Sequence, residues 1–117
     1  MNFLLKILVT SIAVVVSAFL LPGVHIEGYT TAIVVAIVLS LLNYFVKPVL
    51  IILTIPATIF SFGFFLLVIN AFIIILTSKF VGGFKVDGFW WAFIFSIILS
   101  LITSILDFFA KKEEREV

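Results

Sequence analysis

Pro22-Gly23-Val24-His25-Ile26-Glu27-Gly28-Tyr29 and Gly82-Gly83-Phe84-Lys85-Val86-Asp87-Gly88-Phe89 are two versions of one pattern, about sixty residues apart. The correspondence extends in both directions from this pattern. Downstream, Ala32, Ile37, Leu39, Ser40 and Leu41 fall on Ala92, Ile97, Leu99, Ser100 and Leu101. Upstream, Thr10, Ser11 and Ser17 meet Asn70, Ala71 and Thr77, all of them polar or small. Each unit reads as an apolar helix, a short polar loop and a second apolar helix. A period of this length fixes the architecture before any single helix is assigned. The chain is expected to be two tandem copies of a transmembrane hairpin.

Composition names the solvent. Of 117 residues, 65% are hydrophobic and only 11% charged. The mean hydropathy is +1.48. A soluble domain is nearer 45–50% apolar and about 25% charged. This chain lacks the polar surface to cover itself, so the expected partner is the lipid bilayer. A net charge of +1 gives no basis for nucleic-acid binding, and the absence of cysteine excludes disulfides, thiolate catalysis and cysteine-zinc sites. The chain is expected to form a single transmembrane domain over residues 1–117.

A transmembrane helix needs about 20 mostly apolar residues. Candidate spans are Phe3–Leu21, Tyr29–Val46, Phe60–Ser78 and Phe89–Phe108. They divide the chain into a first repeat at about 3–47, a linker 48–59, a second repeat at about 60–108 and a charged tail 109–117. Met1 to Phe19 resembles a signal peptide, with Lys6 ahead of an apolar run and Val16-Ser17-Ala18 as a weak cleavage site. The partner of this run in the second copy lies mid-chain, which favours retention as a span. Tyr29, Phe89, Trp90 and Trp91 stand at helix starts, as an interfacial aromatic belt requires.

Lys6, Lys47, Lys111, Lys112 and Arg115 fall on one side, against Lys79, Lys85 and His25 on the other. The positive-inside bias therefore predicts both termini in the cytoplasm. Two helices per unit leave both copies in the same orientation, giving a parallel repeat about an axis along the membrane normal. Prolines at Pro48 and Pro56 disfavour a smooth helix through the linker. A short half-helix packed against the bundle is expected there.

Small residues recur at every fourth position: Ala32, Ala36 and Ser40, then Ala92, Ser96, Ser100 and Ser104. That spacing makes one stripe, along which helix backbones approach closely. The stripe suits packing within one molecule, or self-association into a homo-oligomer. Asn43 and Asn70 are the polar residues at membrane depth, expected to hydrogen-bond across helices or, alternatively, to line a polar path. Lys47 aligns with Asp107, suggesting a salt bridge at the cytoplasmic helix ends. In the outer loops, alternation around His25, Glu27, Lys85 and Asp87 predicts short strands side by side. This cap reads first as a structural lid, and otherwise as a site for a cell-wall component, a cation or another partner the sequence does not identify. No convergent metal-ligand set and no catalytic constellation occurs, so neither a cofactor nor an enzymatic activity is expected.

Leu21-Pro22-Gly23-Val24-x-Ile26, Leu41-Leu42-Asn43, Lys47-Pro48, Val68-Ile69-Asn70-Ala71 and Phe84-x-Val86-Asp87-Gly88-Phe89-Trp90 together resemble a known family. It is the phage holin family of the mycobacterial four-transmembrane type, holin superfamily IV, and the resemblance runs from Leu4 to about Leu106. It implies a multi-pass protein of the bacterial cytoplasmic membrane. Holins as a class accumulate there, oligomerise and open lesions that admit lytic enzymes to the wall. The resemblance implies no catalytic residues. The expected function is thus a holin-like membrane protein that self-associates and permeabilises the bilayer. The alternative is a non-lytic envelope or stress-associated protein acting as a scaffold or partner-binding module. Solute transport, along scattered polar residues such as Thr10, Asn43, Asn70 and Thr103, ranks last.

Overall fold

The computed structural model describes residues 3–116, with side chains described through Lys111. The charged side chains beyond Lys111 in the expected tail 109–117 lie outside the described residues. The elements are α1 (Phe3–Leu20), β1 (Val24–Ile26), α2 (Tyr29–Leu53), α3 (Ile55–Phe60), α4 (Phe64–Phe80), β2 (Phe84–Val86) and α5 (Phe89–Glu116). Among the described residues three helices, α1, α2 and Phe89–Lys111 of α5, are long and apolar enough to cross a membrane. The fourth, α4, is apolar but shorter.

The four long helices form a ring. α1 packs on α2, α2 on α4, α4 on α5, and α5 back on α1, which leaves α2 and α5 facing each other across a diagonal. One end of the ring is closed by β1 and β2. These pair antiparallel with Val24 opposite Val86, His25 opposite Lys85 and Ile26 opposite Phe84. Hydrogen bonds flank the ladder in matched positions: Glu27 N–H donates to the Gly83 carbonyl (3.0 Å) and Asp87 N–H to the Gly23 carbonyl (2.8 Å). Ala32 N–H likewise donates to Gly28, and Ala92 N–H to Gly88. Both glycines sit at positive φ, 92° and 114°, where a side chain would strain the step from strand into helix.

The core is concentrated towards this strand end. Ala13 and Val14 of α1, Ala32 and Val35 of α2, Ala71, Ile73 and Ile74 of α4, and Ala92 and Phe95 of α5 form one buried cluster with Phe84 of β2. Burial of such side chains stabilises by roughly 1.5–3 kcal/mol each in water. In lipid the gain comes instead from close packing, which explains why alanines dominate these contacts. The last buried apolar residues are Leu39 on α2 and Leu99 on α5, and on α4 the first is Ile69. Beyond them, residues such as Leu42 and Val46 of α2, Phe65 and Leu66 of α4, and Ile102 and Leu106 of α5 pack against the core only partly buried.

The linker departs from expectation. α2 does not stop near Val46 but continues through Pro48 to Leu53. Pro48 removes one backbone donor, a loss that membrane helices accommodate locally. The break comes at Thr54, whose φ of −112° and ψ of 16° leave the helical region two residues ahead of Pro56. Pro56 occupies the first turn of α3, where the backbone donor it lacks has no role. Thr54 Oγ1 donates to the Leu50 carbonyl at 2.7 Å and covers the frayed end. α4 therefore starts at Phe64 rather than Phe60, after Phe62 and Gly63 turn the chain at φ 55° and 89°.

Candidate functional site

Two features stand out, one at each end of the bundle. The strand cap brings His25 and Asp87 together, with Nε2 3.1 Å from Oδ2 and both side chains more than half exposed. It is an ion pair when the imidazole is protonated. Lys85 and Glu27, the counterparts of these two residues, form no such pair among the described residues. Glu27 instead lies against Gly83, where its carboxylate oxygen would be 3.1 Å from an added Cβ, beside Thr31. Gly23 holds the equivalent place on the other side, directly beneath the Trp91 indole. No group of three or more metal-ligating side chains forms among the described residues.

At the opposite end a crevice of about 710 Å³ opens between α1, α2 and α5. Helix periodicity builds it. Ser40, Asn43 and Tyr44 of α2 and Ser100, Thr103, Ser104 and Asp107 of α5 line it. Steps of three and four residues place each set on one helix face. Lys6 and Thr10 of α1, four residues apart, complete the polar wall, and Phe3, Leu39, Leu41, Phe45 and Leu99 supply the apolar one. Leu39 and Leu99 are the last fully buried apolar residues of α2 and α5, and the apolar side chains beyond them on these helices are only partly buried against the core.

Asp107 is the least satisfied group in this crevice. Its Oδ1 is shielded from solvent and accepts no hydrogen bond. The expected Lys47–Asp107 salt bridge is not among the ion pairs of the described residues. The reason is the diagonal placement of α2 and α5, which do not pack directly on each other. Lys47 does not line the crevice, whereas Asp107 does.

The small-residue stripe divides at this boundary. Ala32, Ala36, Ala92 and Ser96 are buried within the molecule, and Ser96 Oγ donates back to the Phe93 carbonyl at 2.8 Å. Ser40, Ser100 and Ser104 instead line the crevice, the last two exposed. Asn43 is exposed on its wall and Asn70 is half-buried at the edge of the core. Neither makes a cross-helix hydrogen bond; Asn43 faces the crevice, whereas Asn70 sits between the buried Ile69 and Ala71 on α4. Among the buried hydroxyls, Thr77 donates to the Ile73 carbonyl at 2.9 Å and Ser11 lies 2.9 Å from the Tyr29 hydroxyl, whereas Ser17 Oγ, at the strand end of α1, has no partner.

Sequence reasoning counted Lys6 in the charge bias, paired Asp107 with Lys47, set Thr10 and Thr103 among scattered polar residues and passed over Tyr44, although the structure puts all five in one crevice. The signal was the shared spacing. Ser40-Asn43-Tyr44-Lys47 and Ser100-Thr103-Ser104-Asp107 are polar faces at the same offsets in corresponding helices.

Comparison with known proteins agrees with this architecture. The model of a family described as mycobacterial 4 TMS phage holin, superfamily IV, matches residues 1–105. The uncharacterized membrane protein YvlD of Bacillus subtilis is 39% identical over 97 residues, covering 82% of each chain. An uncharacterized protein of Streptomyces coelicolor is 38% identical over 118 residues, covering 92% of this chain and 94% of its own. No solved structure matches.

Proposed function

Because this chain belongs to the mycobacterial 4 TMS phage holin family of superfamily IV, we propose that it is a holin-like protein that self-associates in the bacterial cytoplasmic membrane and permeabilises it. The family is one of membrane proteins and not a known enzyme family. In this reading the strand cap faces outward, and the crevice and both termini face the cytoplasm, following the Lys and Arg bias. The chain is two tandem copies of a hairpin about an axis along the membrane normal. The pairing of His25 with Lys85, and flanking hydrogen bonds offset by about sixty residues, support that symmetry.

The observation that carries the functional reading is the unfinished polar wall. Ser100, Ser104 and Asn43 are exposed on helices at membrane depth. Polar groups facing lipid are costly, and burying them against another polar wall or against water relieves that cost. Copies meeting along these walls would enclose a wet path that one molecule lacks.

The test is membrane potential in bacteria after controlled induction. The parent is compared with a Ser100→Leu, Ser104→Leu double variant at matched abundance. Abrupt depolarisation by the parent, lost in the variant, is the expected result. Depolarisation by both would remove the polar wall from the mechanism.

A second reading has its own support. The strand end is closed by paired backbone and a packed core, while His25, Glu27, Lys85 and Asp87 are displayed beyond it. That suits a non-lytic envelope scaffold whose outer loops contact a partner. Normal growth and potential at high abundance would favour it over permeabilisation.

A further inference from the structure

We propose that the crevice binds the phosphoethanolamine headgroup of a membrane lipid. The inference rests on the chain spanning the bilayer and is independent of whether copies associate. It starts from Asp107, whose Oδ1 is shielded and receives no hydrogen bond. A carboxylate oxygen withdrawn from water without a donor is a costly arrangement, relieved only by a group that brings N–H or O–H. Among the described residues lining the crevice, the only cation is Lys6, on a different wall. It forms no ion pair with Asp107.

Opposite charges on separate walls call for a ligand that carries both. A zwitterionic headgroup places its ammonium at Asp107 and its phosphate towards Lys6, within reach of the hydroxyls of Ser100, Thr103 and Ser104. The apolar wall of Phe3, Leu39 and Phe45 then receives the start of an acyl chain. The shielded oxygen also selects among headgroups. A primary ammonium offers three N–H donors, whereas trimethylammonium offers none and would leave Oδ1 unsatisfied. A phosphatidylglycerol headgroup would bring a phosphate with no cation to answer Asp107. Ethanolamine is therefore preferred over choline and glycerol.

The experiment uses the purified full chain dispersed in a nonionic detergent, with Tm followed by tryptophan fluorescence. Mixed micelles carry phosphatidylethanolamine, phosphatidylcholine or phosphatidylglycerol with matched acyl chains. A further arm adds soluble phosphoethanolamine. Phosphatidylethanolamine should raise Tm by about 4 °C or more, well above the other two lipids, and Asp107→Asn should lose this preference. Without lipid, Asp107→Asn should be at least as stable as the parent, because it replaces a carboxylate whose shielded Oδ1 has no donor. Equal shifts from the ethanolamine and choline lipids, or a preference that survives Asp107→Asn, would overturn the proposal. An equal shift from soluble phosphoethanolamine would overturn the lipid source and assign the crevice to a soluble zwitterion. Should Asp107→Asn fail to fold, Lys6→Gln, at an exposed position, reads the same preference from the phosphate side. It must weaken the ethanolamine-lipid shift several-fold, and an unchanged shift counts against the site. The outcome is separate from the depolarisation experiment, since it needs neither assembly nor a potential.

Discussion

The two ends of this bundle are made from corresponding stretches of one repeated pattern, yet only one end is closed. At the strand end, hydrogen bonds occur in matched pairs, Glu27 to Gly83 and Asp87 to Gly23, and the core beneath them is packed with alanine, valine and isoleucine. At the other end, α2 continues past Pro48 into α3, α5 continues to Glu116, and a polar crevice separates the helices. The difference lies in what each end has to satisfy. Strand pairing saturates backbone donors and draws the helix starts together. Among the described residues the far end shows no such bond across the ring, and its serines and asparagine cannot replace the small apolar contacts that hold the core.

The comparison breaks most severely at Gly23. Any β-carbon there would overlap the Trp91 ring. Gly23→Ala should cost about 3 kcal/mol or more, the upper range for overpacking. Gly82→Ala, with open space around it, should stay within about 0.5 kcal/mol. Thermal unfolding in detergent would separate them. A similar loss in both variants would mean that the Trp91 contact does not hold the cap.

Ser96 and Ser104 share a stripe but not an environment. Ser96→Leu, at a position only 4% exposed, should destabilise by about 1–3 kcal/mol. Ser104→Leu, on the exposed crevice wall, should leave stability within about 0.5 kcal/mol. Its effect should appear in cross-linking between copies instead. Equal loss of stability would show that the open end is packed as tightly as the strand end.

A smaller change of opposite sign is expected at the turn before α4. Phe62 is held at φ 55°, and the residue is 99% exposed. Phe62→Gly removes a left-handed strain of about 1–2 kcal/mol, partly offset by the added flexibility of glycine in the unfolded chain. A net rise in Tm corresponding to about 0.5–1 kcal/mol would sharpen the picture of an end under local strain. A fall would indicate that the ring is anchored in the surrounding amphiphile.

The smallest effect belongs to His25. Its contact with Asp87 is exposed, so His25→Ala should cost under about 1 kcal/mol despite the central position of the residue in the ladder. A larger loss would promote the side-chain contact over the backbone pairing as the element that closes the cap.

The strand pair was legible because alternation around His25 and Lys85 stands out against apolar runs. Its antiparallel register follows wherever two equivalent strands meet about an axis. Helix starts at Tyr29 and Phe89 were legible through glycine and aromatic residues. The third helix was placed four residues early, at Phe60 instead of Phe64. The stretch Ser61-Phe62-Gly63 is apolar enough to read as helix, and only the left-handed turn reveals the break. Pro48 was read as a stop because proline breaks helices in general, but the chain continues through it.

By itself the sequence determined that the chain is a membrane protein and where its polar loops lie. These depend on composition and local period, which each segment carries without reference to the others. Tertiary structure alone decided that α2 and α5 sit diagonally, that Lys47 and Asp107 remain apart, and that one small-residue stripe is half core and half crevice wall. Those outcomes depend on how four helices share space around one axis. A residue's spacing along its own helix fixes its face, but only the neighbouring helices decide whether that face is covered.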